Sequence, residues 1–402
     1  MSGEVPRGWR VVRLGDVARE SRARNADLEI PPQRLVGVFK DQGMQPMRER
    51  VRGASIERCK VVEPGAFAYN PMRINIGSIA RSDSTERLLV SPDYVVFEPN
   101  EAKIDGAFLD LLRKSESWAA FVGHAGDGGV RIRIYFDHLA EFRFPLPPLP
   151  EQRRIAEVLS SVDEAIAATR AVIEQTRKVK QAALEALFHR GNWSDASLPP
   201  GHRLISLEEI ARRGSGHTPS KKFSEYWDGE IKWISLQDTK SLDHRFVKET
   251  SARISELGIR NSSAEVHAAG TVFVSRDATV GKVGIMEVPM AVSQHFIAWT
   301  CGPLLNNIFL YYWLLNMRPI FDRIAAGSTI KTIGLSFFKE LKITVPDVET
   351  QQRIVSKMMS LDDGLDASEK CFKSSISLKS ALMSDLLTGR KRVSDPLTLA
   401  AE

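Results

Sequence analysis

The chain has 402 residues, enough for two or three domains that each bury a core of their own. Its hydrophobic content of 43% and charged content of 26% are ordinary for a globular protein, and no apolar run approaches the roughly 20 residues that a membrane span needs. The three cysteines show neither metal-ligand spacing nor a disulfide pattern, and the N-terminal segment lacks the apolar stretch of a signal peptide. We therefore expect a cytoplasmic protein, and the net charge of +5 slightly favours an anionic partner.

The first predicted domain covers residues 1–148. Runs typical of strands, such as Val61–Tyr69, are separated by glycine and proline, which predicts a compact domain of mixed α and β structure. The domain ends in the proline-rich stretch PLPPLP, at Pro145–Pro150. Because proline fixes φ and restricts the residue before it, we interpret this stretch as a brace that holds the following helix in a set direction.

A long helix is predicted over residues 149–190, because no proline occurs between Pro150 and Pro199. Apolar residues recur at alternating steps of four and three, which is the heptad pattern of a helix that packs along another helix. The seam begins with Ile155, Leu159, Val162 and Ile166. Its predicted flanking positions are Val158, Ala165, Val172 and Val179.

The second half repeats the first. PGAFAYNPMRINIGSIA (64–80) pairs with AGTVFVSRDATVGKVGI (269–285), and the helical segments match at an offset of 199 residues. This repeat predicts a second domain at 195–347, a second long helix at 348–390 and a C-terminal tail at 391–402. The helical matches include Gln152 with Gln351, Asp163 with Asp362, and Lys180 with Lys379. The second seam begins with Ile354, Met358, Leu361 and Leu365.

The two long helices are expected to pack against each other, since neither can bury its seam alone. The second half begins where the first helix ends, so the helices should run antiparallel. The predicted fold class is α+β: two domains of mixed α/β structure joined by two long antiparallel coiled-coil helices, with a pseudo-twofold internal repeat. In the alternative fold, each helix packs on its own domain.

The helix starts carry a family resemblance. PLPPLPEQRRIAEVLSSVDEAI (145–166), repeated as TVPDVETQQRIVSKMMSLDDGL (344–365), resembles the specificity subunit of type I restriction-modification systems. The segments FAYNPMRINIGSIA, VSPDYVVF and SGHTPSKKFSEYWDGEIKWISLQD resemble the same family, so the likeness covers nearly the whole chain. The second copy departs from the usual P-L-P-x-Q pattern, with Val348, Glu349 and Thr350 where the first copy has Leu149, Pro150 and Glu151.

This resemblance implies a function and a set of partners. Each domain would be a target recognition domain that reads one half of a gapped double-stranded DNA site, and the helices would set the spacing between the halves. Two methyltransferase subunits and the restriction subunits would be the protein partners. The resemblance implies no catalysis and no cofactor in this chain, because the partner subunits would use S-adenosylmethionine, ATP and Mg²⁺.

Basic and amide side chains in loops are the candidate DNA contacts. Arginine suits guanine and asparagine suits adenine in the major groove, and glycine-rich loops with a basic residue can approach a phosphate. Similar loops recur in both halves, which favours DNA binding over solvated surface charge. The predicted contacts are Asn70, Arg73, Arg131, Arg133, Lys221, Lys222, Arg276, Lys282 and Lys331.

Signals of catalysis are weak. YNPM resembles a motif of DNA adenine methyltransferases, but Met72 replaces its second proline. ATVGKVG lacks the first glycine and the final serine or threonine of a phosphate-binding loop. His138, His244 and His295 have no partner at metal-ligand spacing.

Two other functions stay open at this point. Asp93, Glu101 and Lys103 fit a loose nuclease pattern that could bind Mg²⁺, although Asp93 aligns with Gln294 of the other half. Alternatively, the chain could be a scaffold that bridges partners without DNA.

Overall fold

The computed structural model describes residues 5–47, 56–124, 133–188, 198, 200–243, 245–326 and 331–393. The chain forms two compact units. Unit 1 combines Met1–Arg170 with Lys370–Glu402, and unit 2 is Ala171–Glu369. Each unit therefore contains one mixed α/β domain and a part of both long helices.

Unit 1 is built around a four-stranded antiparallel sheet. Its elements are β1 (Arg10–Arg13), α1 (Leu14–Val17), β2 (Ala18–Ser21), β3 (Val36–Phe39), β4 (Gly43–Pro46), β5 (Lys60–Val62), β6 (Phe67–Tyr69), β7 (Ile79–Arg81), β8 (Leu88–Val90), β9 (Val95–Pro99), α2 (Gly106–Leu112), α3 (Glu116–His124), α4 (Phe136–Ala140), β10 (Arg143–Leu146) and the first part of α5 (Leu149–Leu187). The sheet order is β2-β9-β6-β7, and the pairs β1-β10, β3-β4 and β5-β8 stand beside it. Fully buried Phe67, Phe97 and Phe108 lie in the core. The interior of this domain is thus dominated by aromatic and branched side chains, which suit a buried sheet.

Unit 2 repeats this plan and enlarges it. Its elements are β11 (Arg203–Ser206), α6 (Leu207–Ile210), β12 (Ala211–Ser215), β13 (Trp227–Ile234), β14 (Phe246–Val247), β15 (Ala252–Ile254), α7 (Glu256–Arg260), β16 (Val266–His267), β17 (Val272–Ser275), β18 (Val283–Met286), β19 (Met290–Val292), β20 (Phe296–Cys301), α8 (Asn307–Asn316), α9 (Arg318–Ile324), α10 (Leu335–Lys339), β21 (Lys342–Val345) and the first part of α11 (Val348–Thr388). The order β12-β20-β17-β18 reproduces the four-stranded sheet of unit 1, and β14 adds an edge strand. A second sheet, β15-β13-β19-β16, is larger than the two-stranded pairs of unit 1.

One buried glutamine joins each long helix to its domain. Gln152 on α5 is fully buried; its amide group donates to the Pro147 carbonyl (2.8 Å), and its oxygen accepts from the backbone N–H of Asp105 (2.7 Å). Gln351 on α11 makes the same bonds, to the carbonyl of Pro346 (3.0 Å) and from the N–H of Asn306 (2.9 Å). The repeat therefore keeps this residue because its side chain satisfies backbone groups that would otherwise be buried without a partner.

The residues that receive these bonds are themselves helix caps. The Asp105 carboxylate accepts from the N–H groups of Ala107 and Phe108 at the start of α2 (both 2.9 Å). The Asn306 side-chain oxygen caps α8 in the same way. Each glutamine thus links the first turn of a long helix to the first turn of a domain helix, which sets the direction of the long helix more directly than the proline stretch does.

The long helices run antiparallel within each unit. In unit 1, Lys379 contacts Asp163 (2.5 Å) and the Arg170 guanidinium lies over the Phe372 ring (5.3 Å). In unit 2, Lys180 contacts Asp362 (2.5 Å). The matched Asp and Lys of the repeat are therefore reciprocal ion pairs across the helix seam. The α+β fold class with two mixed domains, an internal repeat and long antiparallel helices is confirmed.

The predicted seam residues are all buried or half-buried. Ile155, Leu159, Ile354 and Met358 are buried, and Val162, Ile166, Leu361 and Leu365 are half-buried. The buried ones belong to the domain cores, where Ile155 and Leu159 pack with the Leu386 of α11. Both predicted modes of packing therefore occur together: the start of each helix packs on its own domain while it pairs with the other helix.

The predicted widening of the stripe is wrong at three positions, since Ala165, Val172 and Val179 are all exposed. Val172 is 53% exposed and Val179 is 44% exposed. A pair of helices covers only the narrow strip along its seam, so residues beside the strip stay in solvent. No helix in the described ranges is apolar over enough length to cross a membrane.

One difference between the two helix starts, Glu151 in unit 1 against Thr350 in unit 2, has a local explanation. In unit 1, the Glu151 carboxylate accepts from the Trp9 indole N–H (3.0 Å) and from the Arg392 guanidinium (2.5 and 2.7 Å). Those hydrogen bonds raise the pKa of Arg392. Thr350 stands at the matching position in unit 2, where its backbone N–H donates to the Asp347 carboxylate (2.8 Å), which caps α11. The glutamate is thus specific to the contact with the C-terminal segment.

Candidate nucleic-acid interface

The predicted contacts Asn70 and Arg73 lie in the tight loop that connects β6 and β7. The backbone N–H of Asn70 donates to the Ser78 carbonyl (3.1 Å), and the Asn70 side-chain oxygen accepts from the N–H of Met72 (2.9 Å). Gly77 closes the loop with φ of 94°, a conformation that favours glycine. The loop is therefore rigid, and it presents Arg73 to solvent.

Arg133 belongs to the same surface of unit 1. The N–H of its neighbour Ile134 donates to the Pro71 carbonyl (3.0 Å), which fixes this segment against the β6–β7 loop. Arg73 and Arg133 are both exposed, and neither pairs with an acidic side chain among the residues that the structure describes. Two cations therefore lie on adjoining segments with their charge available. Arg131 lies outside the described residues.

The β17–β18 loop is the counterpart in unit 2. The N–H of Ser275 donates to the Lys282 carbonyl (2.8 Å), and the N–H of Ile333 donates to the Arg276 carbonyl (2.9 Å). These bonds match those of Asn70 and Ile134 in unit 1. Pro71 and Arg276 thus occupy equivalent places, in agreement with the pairing of 64–80 with 269–285 in the sequence.

Arg276 has partners of its own within unit 2. Its Nε donates to the Ile333 carbonyl (3.0 Å), and its guanidinium approaches the Gln294 carbonyl (3.5 Å). Its side chain is only 17% exposed. The arginine therefore connects three segments of the interface; its predicted contact with DNA stays a prediction.

The remaining lysines of unit 2 differ in exposure. Lys331 is exposed, and its carbonyl accepts from the N–H of Ala278 (3.0 Å), so it lies beside the β17–β18 loop. Lys282 is half-buried at the end of that loop. Lys221 and Lys222 are exposed in the segment between β12 and β13. All four stay candidate contacts.

Two tryptophans hold the lysine-bearing segment in place. Trp233 donates its indole N–H to the His217 carbonyl (3.1 Å), and Trp227 donates to the Ser220 carbonyl (3.3 Å). Phe223 follows the lysines; it is 46% exposed, and its ring lies 5.0 Å from that of Tyr226. An exposed aromatic beside two cations suits a surface that contacts DNA bases and phosphates.

A polar cluster at the β19–β20 turn was missed by the sequence analysis. Asp277 accepts from His295 Nδ1 (2.8 Å), and His295 Nε2 lies 3.4 Å from the side-chain nitrogen of Gln294. The oxygen of the Gln294 amide accepts from the Thr218 hydroxyl. These residues come from three separate loops, so no spacing in the sequence could have brought them together.

The structure also corrects one alignment. The N–H of Tyr94 donates to the Ser91 carbonyl (3.0 Å), and the N–H of Phe296 donates to the Ser293 carbonyl (3.1 Å). Asp93 therefore matches His295, and Pro92 matches Gln294. The earlier alignment was one residue off because a short turn carries no periodic pattern to fix it.

The signals of catalysis do not assemble into sites. Asp93 precedes β9 while Glu101 and Lys103 follow it, so a strand about 17 Å long separates them. Lys103 also donates to the Asp16 carbonyl (3.0 Å). The ATVGKVG motif connects two strands of a hairpin, not a strand and a helix. The described residues contain no group of His, Cys, Asp and Glu that could hold a metal ion.

Single histidine and cysteine side chains do not indicate a catalytic site either. His138 is exposed on α4, and His244 lies outside the described residues. Burial raises the pKa of the Cys301 thiol to about 12, which disfavours the nucleophilic thiolate. The exposed loops of the two units offer cations and amides, which are groups that bind DNA.

Comparison with known proteins places the chain in a family. The model for the type I restriction modification DNA specificity domain matches residues 64–176 and 202–377, more than half of the chain. The putative type I restriction enzyme MjaX specificity subunit of Methanocaldococcus jannaschii is 23% identical over 97% of this chain and 95% of its own length. The HindI specificity subunit of Haemophilus influenzae is 20% identical over 87% of this chain and 93% of its own length.

Solved structures share the fold. The HsdS subunit from Thermoanaerobacter tengcongensis has a TM-score of 0.54 and 20% identity, covering 96% of this chain and 98% of that chain. The S subunit of the type I restriction-modification system from M. genitalium has a TM-score of 0.57 and 14% identity, covering 96% and 97%. The chain belongs to the family of type I restriction-modification DNA specificity subunits, the components that recognise the DNA sequence and do not catalyse.

Proposed function

We propose that unit 1 and unit 2 each read one half of a gapped double-stranded DNA site. The observation that carries this proposal is that the two units share one framework but differ at its equivalent loops. Pro71 of unit 1 matches Arg276 of unit 2, and Pro92 matches Gln294. A shared framework with different side chains at the reading positions is what two different half-sites require.

The exposed cations supply affinity. Arg73 and Arg133 in unit 1, and Lys221, Lys222 and Lys331 in unit 2, are solvent-exposed. Each cation that contacts a phosphate releases counterions, so binding should weaken steeply as salt rises. Arg131, Asn70, Arg276 and Lys282 complete the proposed set. The amide and arginine groups suit bases, and the lysines suit phosphates.

Family membership implies modification and restriction subunits as partners. We assign two methyltransferase subunits to the long helices. Val179 of α5 and Leu378 of α11 are matched positions of the repeat. Val179 lies in unit 2 and is 44% exposed, and Leu378 lies in unit 1 and is 54% exposed. Exposed apolar side chains at equivalent positions would give two equivalent docking surfaces. The helices would also set the spacing of the half-sites.

Chemistry belongs to the partners in this proposal. The chain itself would need no cofactor, and the partner subunits would use S-adenosylmethionine, ATP and Mg²⁺. The experiment is to map adenine methylation across the host genome with and without this gene. We expect methylation at one two-part gapped motif to disappear, and unchanged methylation would contradict the proposal.

A domain exchange tests the division of labour between the units. Replacing residues 1–148 with the first recognition domain of another family member should change one half of the motif and leave the other half unchanged. An unchanged motif would show that unit 1 does not read DNA. Alanine substitution of both Val179 and Leu378 should reduce the number of methyltransferase subunits bound in sedimentation experiments.

A further inference from the structure

The β19–β20 turn of unit 2 is the meeting point of its candidate DNA contacts. Thr218 reaches the turn from the segment that carries Lys221 and Lys222. Asp277 reaches it from the β17–β18 loop. Arg276 connects the turn to Ile333, two residues after the exposed Lys331. The exposed Gln294 therefore lies at the centre of the basic loops of this unit.

We propose that Gln294 reads one adenine in the half-site of unit 2, and that Asp277, His295 and Thr218 are positioning residues that orient its amide. This inference rests on the proposed function, because it requires unit 2 to read DNA. It deepens that function by naming the residue and the base.

The orientation of the amide follows from hydrogen-bond chemistry. A carboxylate can only accept, so His295 must carry its proton on Nδ1, which lies 2.8 Å from Asp277. When the ring carries only that proton, its Nε2 is an acceptor, and it faces the NH₂ group of Gln294 at 3.4 Å. The Thr218 hydroxyl donates to the other end of the amide. Both neighbours therefore favour the same orientation of Gln294.

The oriented amide keeps the capacity to read a base. An amide NH₂ has two donors and its oxygen has two lone pairs, so one donor and one lone pair remain at Gln294. These match the N7 acceptor and N6 donor of adenine in the major groove. Guanine presents two acceptors at the same edge, so the amide oxygen would face an acceptor there. The arrangement thus discriminates between the purines.

The backbone beneath Gln294 is rigid, as a reading position requires. The N–H of the buried Ser293 donates to the Ile234 carbonyl (2.8 Å), which anchors the turn to β13. The N–H of Arg276 donates to the His295 carbonyl (2.8 Å) on the other side. In unit 1 the matching residues are Pro92 and Asp93, which have no amide side chain. The adenine contact is therefore expected in one half-site only.

The test uses the full chain in complex with its modification subunits. The complex is incubated with duplex DNA of random sequence, and the bound fraction is sequenced. The wild-type complex should select a two-part motif with an adenine in the half-site of unit 2. Gln294→Glu should lower the preference for that adenine by roughly 10- to 100-fold and favour cytosine there, because a carboxylate accepts from cytosine N4.

A second variant and a matched control complete the design. Thr218→Val removes the hydroxyl at nearly constant shape, so the same adenine should stay preferred but less strongly. Gln33→Glu makes the same charge change at an exposed residue of unit 1, and the motif should not change. Thermal unfolding of each variant establishes that the fold is intact.

The outcomes separate the two proposals. A wild-type complex that selects no two-part motif would overturn the proposed function itself. A wild-type two-part motif together with unchanged preferences for Gln294→Glu would overturn only the role of Gln294. If Gln294→Glu binds no DNA, Thr218→Val decides: a weaker preference at one position of one half-site supports the inference, and an unchanged motif overturns it.

Discussion

Unit 1 and unit 2 share a framework, but they attach their domains to the long helices differently. In unit 1 Asp163 pairs with Lys379 and with no other charged side chain among the described residues, and the aspartate side chain is 42% exposed. In unit 2 the matching Asp362 is 13% exposed, and it contacts Lys180, Arg245 and the Tyr312 hydroxyl (2.6 Å). The duplicated ion pair has become, in unit 2, a buried network that includes residues of the recognition domain.

The sources of the extra partners explain the difference. Tyr312 lies on α8, and its counterpart on α2 of unit 1 is the buried Leu111, which has no hydroxyl. Arg245 precedes β14, an edge strand that the sheet of unit 1 does not have in the part of the chain that the structure describes. Burial, with the hydrogen bond to Asp362, raises the pKa of Tyr312, so the hydroxyl stays a donor. One added strand and one substitution thus turn a seam contact into an anchor for the domain.

The largest expected effect comes from removing the aspartates. Asp362→Ala should lower the free energy of unfolding of unit 2 by roughly 3 kcal/mol, because Lys180 and Arg245 would lose their buried carboxylate and Arg245 would keep only the exposed Asp363 at 3.6 Å. Asp163→Ala should cost unit 1 about 1 kcal/mol or less, because the pair is partly exposed. Hydrogen exchange resolved by segment measures both. Equal losses of unfolding free energy in the two units would contradict the proposed difference between the two ion pairs.

The glutamine bonds should behave alike in the two units. Gln152→Leu and Gln351→Leu should each cost about 2 to 3 kcal/mol, since each leaves a buried N–H and buried carbonyl groups without a partner. Denaturation with urea, followed by segment-resolved exchange, measures the losses. Gln33→Leu, at an exposed position, is the control. A large cost in only one unit would mean that the repeated hydrogen bonds are not equivalent.

A smaller effect is expected from the Tyr312 hydroxyl alone. Tyr312→Phe should lower the stability of unit 2 by about 1 kcal/mol, because Asp362 keeps both cations. The double variant with Asp362→Ala should cost less than the sum of the two single losses, since the hydroxyl donates to that carboxylate (2.6 Å), although it also accepts from Arg245 (2.8 Å). Additive losses in this double-mutant cycle would show that the two residues act independently.

The smallest effect concerns pH. His267 is 2% exposed in unit 2, and burial lowers its pKa from the ordinary value of 6.5. The unfolded chain therefore binds a proton more readily, so unit 2 should lose stability as pH falls below about 6.5. His267→Gln should flatten this dependence. The described histidines of unit 1, His124 and His138, are exposed, so the melting temperature of unit 1 should respond less.

The amino-acid sequence by itself determined the repeat, the long helices and their antiparallel pairing. These features depend on local periodicity and on chain direction, which can be counted along the sequence. The same counting identified Arg73, Arg133 and Lys331 as loop cations. It also found that Gln152, Asp163 and Lys180 recur in the second half, but it did not predict the contacts for which they are kept.

Only the tertiary structure decided what those residues contact. Gln152 bonds to backbone groups up to 49 residues away, and Gln294, His295, Asp277 and Thr218 come together from three loops. Such contacts depend on how strands pair across the sheets, which no local pattern encodes. The sequence therefore determined the elements of this protein, and the packing of those elements decided which side chains can act together on DNA.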